Sequence, residues 1–488
     1  MDSYSTIRKI QEGLLHREYS CEELTKSYLD AIERDNQILN SYVTVTPQEA
    51  FSAAKRVDQK IAAGKPLSPL EGVPMTLKDN LSTNKIPTTC CSKILSGYTP
   101  IYDAAVWETL KAQNAILLGK TNMDEFAMGS TCETSCYGGA KNPHNLKRVP
   151  GGSSGGGASA VCANLAAYAL GSDTGGSIRQ PASFCGVVGL KPTYGAVSRY
   201  GLIAFASSFD QIGPIAGCAE DAALVFDAIS SYDERDSTCS GRKGAPCAES
   251  LNQSIKGMKI GIPKEYYEGL RPGVQKALED AQKTYQELGC KLIPLALPEL
   301  QYALPVYYIL ACAEASSNLG RYDGIRYGYK TERYNDLNEM ICKTRSEGFG
   351  AEVQRRILLG TYVLSSGYYD AYYKKAQILR GKIVDAFQSA FQKCDIILAP
   401  TVPVTALPQH YSSNAVDNYR TDICTVPVNI AGLPGISVPC GKDEDNMPVG
   451  MQLIGKKFGE ATILRAAHQY EKAARDTVFC PVKMGVEK

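Results

Sequence analysis

The hydrophobic positions of this chain follow two spacings, one typical of amphipathic helices and one typical of short buried strands. Ser20, followed three residues later by Glu23, is a capping box before the apolar-periodic run Leu24–Ile32. Residues 46–49 (TPQE) open a second helix, which ends before Gly64. Further helices are predicted at Asp103–Asn114, Ala219–Ile229, Gly273–Leu288, Glu352–Ala390 (broken along its length) and Glu460–Arg475.

Short apolar runs lie between these helices, and each is long enough for one buried strand. The predicted strands are Val73–Leu77, Ala115–Leu118, Gly186–Leu190, Met258–Ile262, Lys291–Leu295, Ile396–Leu398, Gly435–Val438 and Met451–Ile454. Strands interleaved with helices predict an α/β fold around one sheet. We expect a single domain over residues 1–488. It has a helical N-terminal segment (1–65) and a core formed by 66–230 and 257–488, joined by the polar surface loop 231–256.

Composition excludes several classes of protein. A net charge of +1 argues against a chain that binds nucleic acid without a partner, so any nucleic acid is expected to be bound mainly by another chain. The 17 cysteines form no CxxC pair and no Cys/His cluster with zinc spacing, which favours buried thiols in a reducing cytoplasm and no metal site. The N-terminus is charged, with no signal peptide, and no apolar stretch is long enough for a membrane span.

Two clusters of glycine and serine flank the apolar run Val161–Leu170: residues 151–157 (GGSSGGG) and 171–177 (GSDTGGS). Flexible linkers are one interpretation, but clusters on both sides of an apolar run are more typical of a folded core. A phosphate-binding loop is a second interpretation, but neither cluster has the lysine that such a loop requires after its last glycine. Nucleophilic catalysis is the third, because glycines let backbone N–H groups hold an oxyanion beside a serine.

The base that would activate such a serine is not a histidine. The chain has four histidines, none in a catalytic context: His16, His144, His410 and His468. Residues 151–155 match the G-x-S-x-G pattern, but the polar stretch before them lacks the apolar strand that a nucleophile elbow needs. Lys78 follows the predicted strand Val73–Leu77, and burial would lower its pKa enough for it to act as a base. A solvated lysine is the alternative that the residues alone leave open.

Three blocks together resemble the amidase signature family: residues 150–159, 171–182 (GSDTGGSIRQPA) and 186–194 (GVVGLKPTY). Further stretches are similar to the A subunits of aspartyl/glutamyl-tRNA amidotransferases within that family: 122–129 (NMDEFAMG), 198–214, 313–329, 364–376 and 427–441. The resemblance covers nearly the whole chain. It departs from the family pattern at Gly157, where a serine is expected after GGSSGG.

The resemblance implies the amidase signature fold, a central mixed sheet covered by helices on both faces. It implies a Ser–cis-Ser–Lys triad of Ser177, Ser153 and Lys78, supported by Ser154. The backbone N–H groups of Thr174, Gly175 and Gly176, with that of Ser177, would form the oxyanion hole. Arg356 would bind the α-carboxylate of glutamine, with Arg355 as a rival, and Asp422 would bind the α-ammonium; Tyr307 or Tyr308 would line the pocket.

The resemblance also implies the activity and its partners. The chain would be a cytoplasmic glutaminase subunit that releases ammonia for the conversion of Glu-tRNA(Gln), or of Asp-tRNA(Asn), to the amidated product. Two further subunits are implied: one is a B-type kinase and transferase, and the other is a small C-type protein. ATP and Mg²⁺ would bind at a partner subunit, and the mischarged tRNA would be held mainly through the partner. No cofactor is expected in this chain. Two alternatives remain open: a stand-alone amidase that acts on small amides, and a catalytically inactive scaffold.

Overall fold

A computed structural model describes residues 6–240, 246–411, 419–474 and residue 482. Its strands are β1 (Tyr42–Val45), β2 (Pro74–Lys78), β3 (Ile116–Thr121), β4 (Tyr168–Asp173), β5 (Val188–Lys191), β6 (Gln211–Ala216), β7 (Lys259–Pro263), β8 (Lys291–Leu295), β9 (Ile396–Pro400), β10 (Gly435–Lys442) and β11 (Pro448–Gly455). Within this part of the chain, the eleven strands form one sheet in the order β1-β3-β2-β4-β6-β5-β10-β11-β9-β7-β8.

The helices surround this sheet. They are α1 (Ile7–Leu15), α2 (Cys21–Leu39), α3 (Pro47–Ala62), α4 (Ala105–Ala112), α5 (Gly155–Cys162), α6 (Arg179–Cys185), α7 (Ala219–Ile229), α8 (Cys247–Ser250), α9 (Pro272–Glu287), α10 (Ala303–Asn318), α11 (Leu337–Gly348), α12 (Ala351–Leu364), α13 (Lys375–Ala390), α14 (Val426–Ile430) and α15 (Glu460–Ala473). The break predicted inside Glu352–Ala390 is confirmed, since α12 ends at Leu364 and the backbone of Ser365 is extended. A π-helix at Tyr369–Lys374 then leads into α13.

The sheet is mixed, as predicted. Strand β2 runs parallel to β3 and β4, and β7 runs parallel to β8 and β9. The other pairs are antiparallel, including the long hairpin of β10 and β11. Each predicted strand overlaps an observed one, whereas β1, β4 and β6 were not predicted as strands.

Alternate residues of the strands pack into separate hydrophobic clusters on the two faces of the sheet. In β9, Ile396 and Leu398 belong to one cluster, whereas Ile397 and Ala399 belong to the other, as the two-residue period of a strand requires. The first cluster takes side chains from α1–α4, α7–α9 and α15, and the second from α10 and α12–α14. Helices therefore cover both faces, which confirms the predicted α/β architecture.

The helix signals at the N-terminus act as predicted, with one exception. Ser20 Oγ accepts from Glu23 N at 3.1 Å, and Ser20 N donates to Glu23 Oε2 at 2.8 Å, which completes the capping box. Thr46 does not cap α3, because its hydroxyl donates to Leu117 O at 2.8 Å and ties the helix to β3. Gly64 follows α3 with a φ of +66°, the left-handed conformation that glycine favours.

Part of the polar stretch 231–256 is built into the core. Cys247, Leu251 and Ile255 are buried in the first cluster, and the backbone N–H of Cys247 donates to Asp227 Oδ1 at 2.8 Å. Residues 241–245 lie outside the described part of the chain. Of the helices described, none combines the length and hydropathy that crossing a bilayer requires. The cysteines described are free thiols, and most of them are buried.

Candidate active site

Three neighbouring parallel strands end at the same edge of the sheet, and each leads into a polar segment. Strand β2 ends at Lys78, β3 ends before the segment 122–129, and β4 ends at Asp173 before the loop 174–178. The carboxyl ends of parallel strands share an edge, which is where α/β proteins form their sites. The topology therefore brings Lys78 and the second Gly/Ser cluster together from distant parts of the sequence.

The Lys78 side chain is enclosed, with 1% of the residue exposed. Its Nζ donates to Ser153 Oγ at 2.7 Å, to Ser172 Oγ at 3.0 Å and to Ser172 O at 3.3 Å. Burial lowers the pKa of Lys78 to about 8, and the acidic groups around it, led by Asp124, act in the opposite direction. An amine with this pKa is partly neutral near physiological pH, so it is able to accept a proton.

Ser153 follows a cis peptide bond from Gly152, and its side chain is fully buried. The Gly152 N–H donates to Gln180 Oε1 at 2.8 Å, while Ser153 O accepts from the Asp124 N–H at 3.2 Å. The backbone that carries the Ser153 hydroxyl is therefore held on both sides of the cis peptide bond. This fixes the hydroxyl at 2.7 Å from the Lys78 amine.

Ser154 connects the two Gly/Ser clusters. Its N–H donates to Ser177 O at 3.0 Å, and its hydroxyl donates to Ser172 O at 3.2 Å. The side chain is buried, and both of its polar groups are engaged with the second cluster. The two clusters are thus one buried unit, and the interpretation as flexible linkers is wrong.

Ser177 lies beside a row of unengaged backbone donors. It is 7% exposed, compared with 0% for Ser153, so it is the more accessible of the two hydroxyls. Among the described residues, the backbone N–H groups of 174–177 have no acceptor. Gly176 has a φ of +144°, and a Cβ at this position would lie 2.3 Å from Thr425 Oγ1. A glycine-dependent loop with free N–H groups beside a hydroxyl is suited to holding an oxyanion.

A buried ion pair that the sequence analysis did not single out fixes this loop. Asp173 accepts from Arg179 Nε and Nη2, both at 3.0 Å, and neither residue is exposed. Arg179 also donates to Thr425 O at 3.1 Å, and to Asn429 and Gln452. Burial opposes ionisation of Asp173, but the Arg179 guanidinium outweighs it, and the pKa of Asp173 falls to about 2. Both residues lie in the GSDTGGSIRQPA block, which was the available signal.

A cleft of about 300 Å³ is formed partly by the segment that follows β3. It is lined by Glu125, Gly129, Ser130, Thr131, Thr134, Gly350, Ala351, Glu352, Arg355, Arg356 and Tyr419. Ser177 is not among these residues. Gln180 links the cleft wall to the first Gly/Ser cluster, because its Nε2 donates to Ser130 O at 2.8 Å and its Oε1 accepts from the Gly152 N–H. No cluster of metal-binding side chains was found in the described part of the chain.

The structure separates the two arginines that the sequence left as rivals. Arg356 is 3% exposed, its Nε donates to Glu352 Oε1 at 2.8 Å, and its guanidinium lies 5.2 Å from the centre of the Tyr308 ring. Its terminal nitrogen atoms have no acceptor among the described residues. Arg355 has a side chain that is 52% exposed and ion-paired with Glu352. Arg356 is therefore the better placed of the two to bind a carboxylate in the cleft.

A carboxylate complements this cation. Asp422 Oδ2 accepts from Tyr308 Oη at 3.1 Å and from Ser130 Oγ at 3.3 Å. Burial raises the pKa of Asp422 to about 7, while the positive charge of Arg356 acts against that rise. Asp422 does not line the cleft, but it is hydrogen-bonded to the lining residue Ser130, whereas Arg356 lines the cleft itself. A cation and an acid are thus both attached to the cleft wall, an arrangement that matches the two charges of a free amino acid.

The two tyrosines differ in what they contact. Tyr308 bonds to Asp422, and its ring stacks on Tyr419 with centroids 4.1 Å apart. Tyr307 packs on the loop itself, since a Cβ at Gly175 would lie 2.7 Å from its Cζ atom. Tyr307 is therefore a wall of the serine loop, whereas Tyr308 belongs to the charged end of the site.

The comparisons with known proteins agree with the observed fold. The family model for amidases matches residues 23–464. The chain belongs to the amidase family.

Individual proteins are similar to the chain over nearly its whole length. The chain is 54% identical to the A subunit of glutamyl-tRNA(Gln) amidotransferase from Carboxydothermus hydrogenoformans, over 96% of this chain and 97% of that protein. It is 50% identical to the protein of the same name from Thermosynechococcus vestitus, over 96% of this chain and 98% of that protein. The crystal structure of the A subunit of glutamyl-tRNA(Gln) amidotransferase from Thermotoga maritima superposes with a TM-score of 0.82 at 39% identity, covering 99% and 98% of the two chains. A peptide amidase from Stenotrophomonas maltophilia gives a TM-score of 0.83 at 28% identity, covering 99% of each chain.

Proposed function

We propose that this chain is the glutamine-hydrolysing subunit of a tRNA-dependent amidotransferase. It releases ammonia, which a partner protein in the complex uses to convert Glu-tRNA(Gln) to Gln-tRNA(Gln), or Asp-tRNA(Asn) to Asn-tRNA(Asn). Full-length relatives that carry the name of such a component support this proposal. The observation that carries the choice of glutamine is the pair Arg356 and Asp422, which supplies one cation and one acid to the same site.

In the proposed chemistry, Ser177 Oγ attacks the side-chain amide carbon of glutamine. Neutral Lys78 takes the Ser177 proton through Ser153, whose hydroxyl lies 2.7 Å from the amine. The N–H groups of 174–177 hold the negative oxygen of the tetrahedral intermediate. The Lys78 ammonium returns the proton, again through Ser153, to the departing ammonia, and a glutamyl ester remains on Ser177. Water then hydrolyses the ester to glutamate with the same base.

Substrate recognition separates this function from its two rivals. A stand-alone amidase for simple amides would need neither Arg356 nor Asp422, because a simple amide carries no α-carboxylate and no α-ammonium. An inactive scaffold would not need a buried amine with a lowered pKa beside a serine hydroxyl. The polar and oppositely charged groups of the cleft favour an amino-acid substrate.

The partners belong to the same proposal. ATP and Mg²⁺ act at a B-type partner, which also binds most of the mischarged tRNA, and a small C-type partner completes the complex. The net charge of +1 supports this division, since a chain that holds tRNA alone would have a basic excess. The cytoplasmic location and the division into one domain with an N-terminal segment stay predictions.

The test is an assay of the native protein purified together with its bound partners. We expect glutamate formation from glutamine that accelerates when Glu-tRNA(Gln), ATP and Mg²⁺ are present, and little hydrolysis of propionamide. Propionamide is the matched control, because it has the amide but neither charge of the amino acid. Equal kcat/KM values for both amides, unaffected by tRNA and ATP, would favour the stand-alone amidase instead.

A further inference from the structure

The segment 122–129 (NMDEFAMG) follows β3 at the active edge, and the proposed chemistry gives it no role. Its Asp124 is fully buried. Asp124 Oδ2 accepts from Cys132 N at 2.8 Å, and Oδ1 accepts from Thr134 Oγ1 at 2.9 Å and Thr134 N at 3.4 Å. Three donors meet the two oxygens, and each of these hydrogen bonds favours the ionised carboxylate.

Asp124 contacts the backbone that carries the Ser153 hydroxyl. Its N–H donates to Ser153 O at 3.2 Å. A Cβ added to Gly152 would lie 1.9 Å from Asp124 Oδ2, so only a glycine lets the carboxylate pack this closely against the chain. The carboxylate of Asp124 thus packs against Gly152 and its N–H bonds to Ser153, on either side of the peptide that joins these two residues.

Asp124 also acts on the charge of Lys78. Burial of Lys78 disfavours its ammonium form, and the groups that favour the ammonium are, in decreasing order, Asp124, Cys132, Asp173 and Asp210. Asp173 is neutralised by its ion pair with Arg179. Asp124 forms no ion pair with any described residue, so its charge remains available to Lys78. Burial raises the pKa of Asp124, and the donors at Cys132 and Thr134 oppose that rise.

We propose that Asp124 is a positioning residue for the proton relay. Its N–H and carboxylate hold the backbone of Gly152 and Ser153, and its negative charge stabilises the ammonium that Lys78 becomes when it takes the Ser177 proton. The inference rests on the proposed function in one respect: it requires Lys78 to be the base for Ser177. It does not require glutamine to be the substrate.

The test uses Asp124→Asn in the purified complex. The rate constant for the reaction of Ser177 with a small alkyl phosphonofluoridate is measured as a function of pH. This probe needs the serine and its base but none of the amino-acid contacts. In the wild type, the rate constant should rise with pH to a plateau, with a midpoint near the Lys78 pKa of about 8. Without the negative charge the ammonium is less stable, so we expect a midpoint lower by about one pH unit. The plateau rate should also fall, because the Ser153 peptide is less firmly held.

A buried acid outside the site supplies the matched control. Glu71 is also buried, but its carboxylate accepts from Ser68 N at 2.9 Å and forms an ion pair with Lys60. Glu71→Gln should therefore leave the midpoint of the probe reaction where it is in the wild type. A midpoint that is unchanged in Asp124→Asn, or that moves equally in both variants, would overturn the inference.

A second variant covers the case in which Asp124→Asn does not fold. A Cβ at Gly129 would lie 2.4 Å from Asp124 Cγ, so Gly129→Ala displaces the carboxylate while leaving its charge and the triad in place. We expect slower labelling of Ser177 on the plateau, and a wild-type rate would refute the positioning role. If the probe shows the expected shift but glutamine is not hydrolysed, the proposed function fails and the inference stands.

Discussion

Removing the Arg356 guanidinium should impair glutamine hydrolysis and spare that of simple amides. The Arg356 Nε atom donates to Glu352, so the terminal nitrogens are the part of the side chain that can bind a ligand. Arg356→Ala would leave the α-carboxylate of bound glutamine without its cation. It should not alter the contact between Lys78 and Ser153, which is made by other elements of the fold.

The size of the effect follows from the environment of this side chain. A hydrogen bond to a charged group contributes about 1.5–3 kcal/mol, which corresponds to a loss in kcat/KM of roughly tenfold to a hundredfold or slightly more. Arg356 is 3% exposed, so water cannot fully replace the lost contact, and we expect a value in the upper part of this range. The loss should fall on KM more than on kcat, because the contact binds the ground state and the transition state alike.

The assay compares glutamine with propionamide for Arg356→Ala and for the control variant Arg355→Ala. The control removes the neighbouring arginine, which also pairs with Glu352 but is half exposed. We expect little change for Arg355→Ala on either substrate. Thermal unfolding of both variants shows whether the loss of the contacts between Arg356 and the aromatic rings of Tyr308 and Tyr419 has disturbed the fold.

Two outcomes would refute this reasoning. Equal losses on both amides for Arg356→Ala would mean that the arginine supports the fold or the triad, not the α-carboxylate. A selective loss on glutamine in Arg355→Ala, with Arg356→Ala unaffected, would assign the contact to the other arginine.

Three further predictions follow from the site. Lys78→Arg keeps the charge but cannot deprotonate near neutral pH, so glutamine hydrolysis should be as low as in Lys78→Ala; a substantial rate with arginine would make Lys78 an electrostatic anchor. Asp422 has a raised pKa of about 7 and must be ionised to bind the α-ammonium. The slope of log kcat/KM against pH should therefore approach about two below pH 7 for glutamine and about one for propionamide, and identical slopes would contradict the role of Asp422. Gly176→Ala should abolish hydrolysis of both amides without unfolding the protein, because a Cβ would strike Thr425 Oγ1 at 2.3 Å; near-normal activity would show that the loop does not need this conformation.

Much of the architecture could be predicted because local patterns carry it. The strands of the second half of the sheet are short apolar runs bounded by turns, and β8 was predicted to the residue. Helix α10 was not predicted, because it is apolar on nearly all sides and packs between α12 and α13, so its sequence shows no helical period. Strand β4 was hidden in the longer apolar run Val161–Leu170, which the structure divides among the end of α5, a turn and the strand.

The site was predictable where a motif carries it and not where tertiary contacts do. The two Gly/Ser clusters and Lys78 stand out in the sequence, and the structure brings Lys78 to within 2.7 Å of Ser153. The phase of α12 could not be predicted, because the helix is not amphipathic enough to show which arginine faces inward. Asp124 and Gln180 hold the backbone of Gly152 and Ser153. Both lie in quoted sequence blocks, but nothing in those blocks indicates which other segment they contact. Their roles depend on strand order, which a sequence does not reveal directly.

The most direct test of the account is Ser177→Ala in the intact complex, assayed with two nitrogen donors. We expect glutamine hydrolysis to fall by about a thousandfold or more, since removal of a catalytic nucleophile costs at least that much in serine hydrolases. With ammonium chloride in place of glutamine, the same variant should amidate Glu-tRNA(Gln) at the wild-type rate, because only the source of ammonia is lost. Glutamine hydrolysis within about tenfold of the wild type, a difference of only about 1.4 kcal/mol in the barrier, would contradict the account.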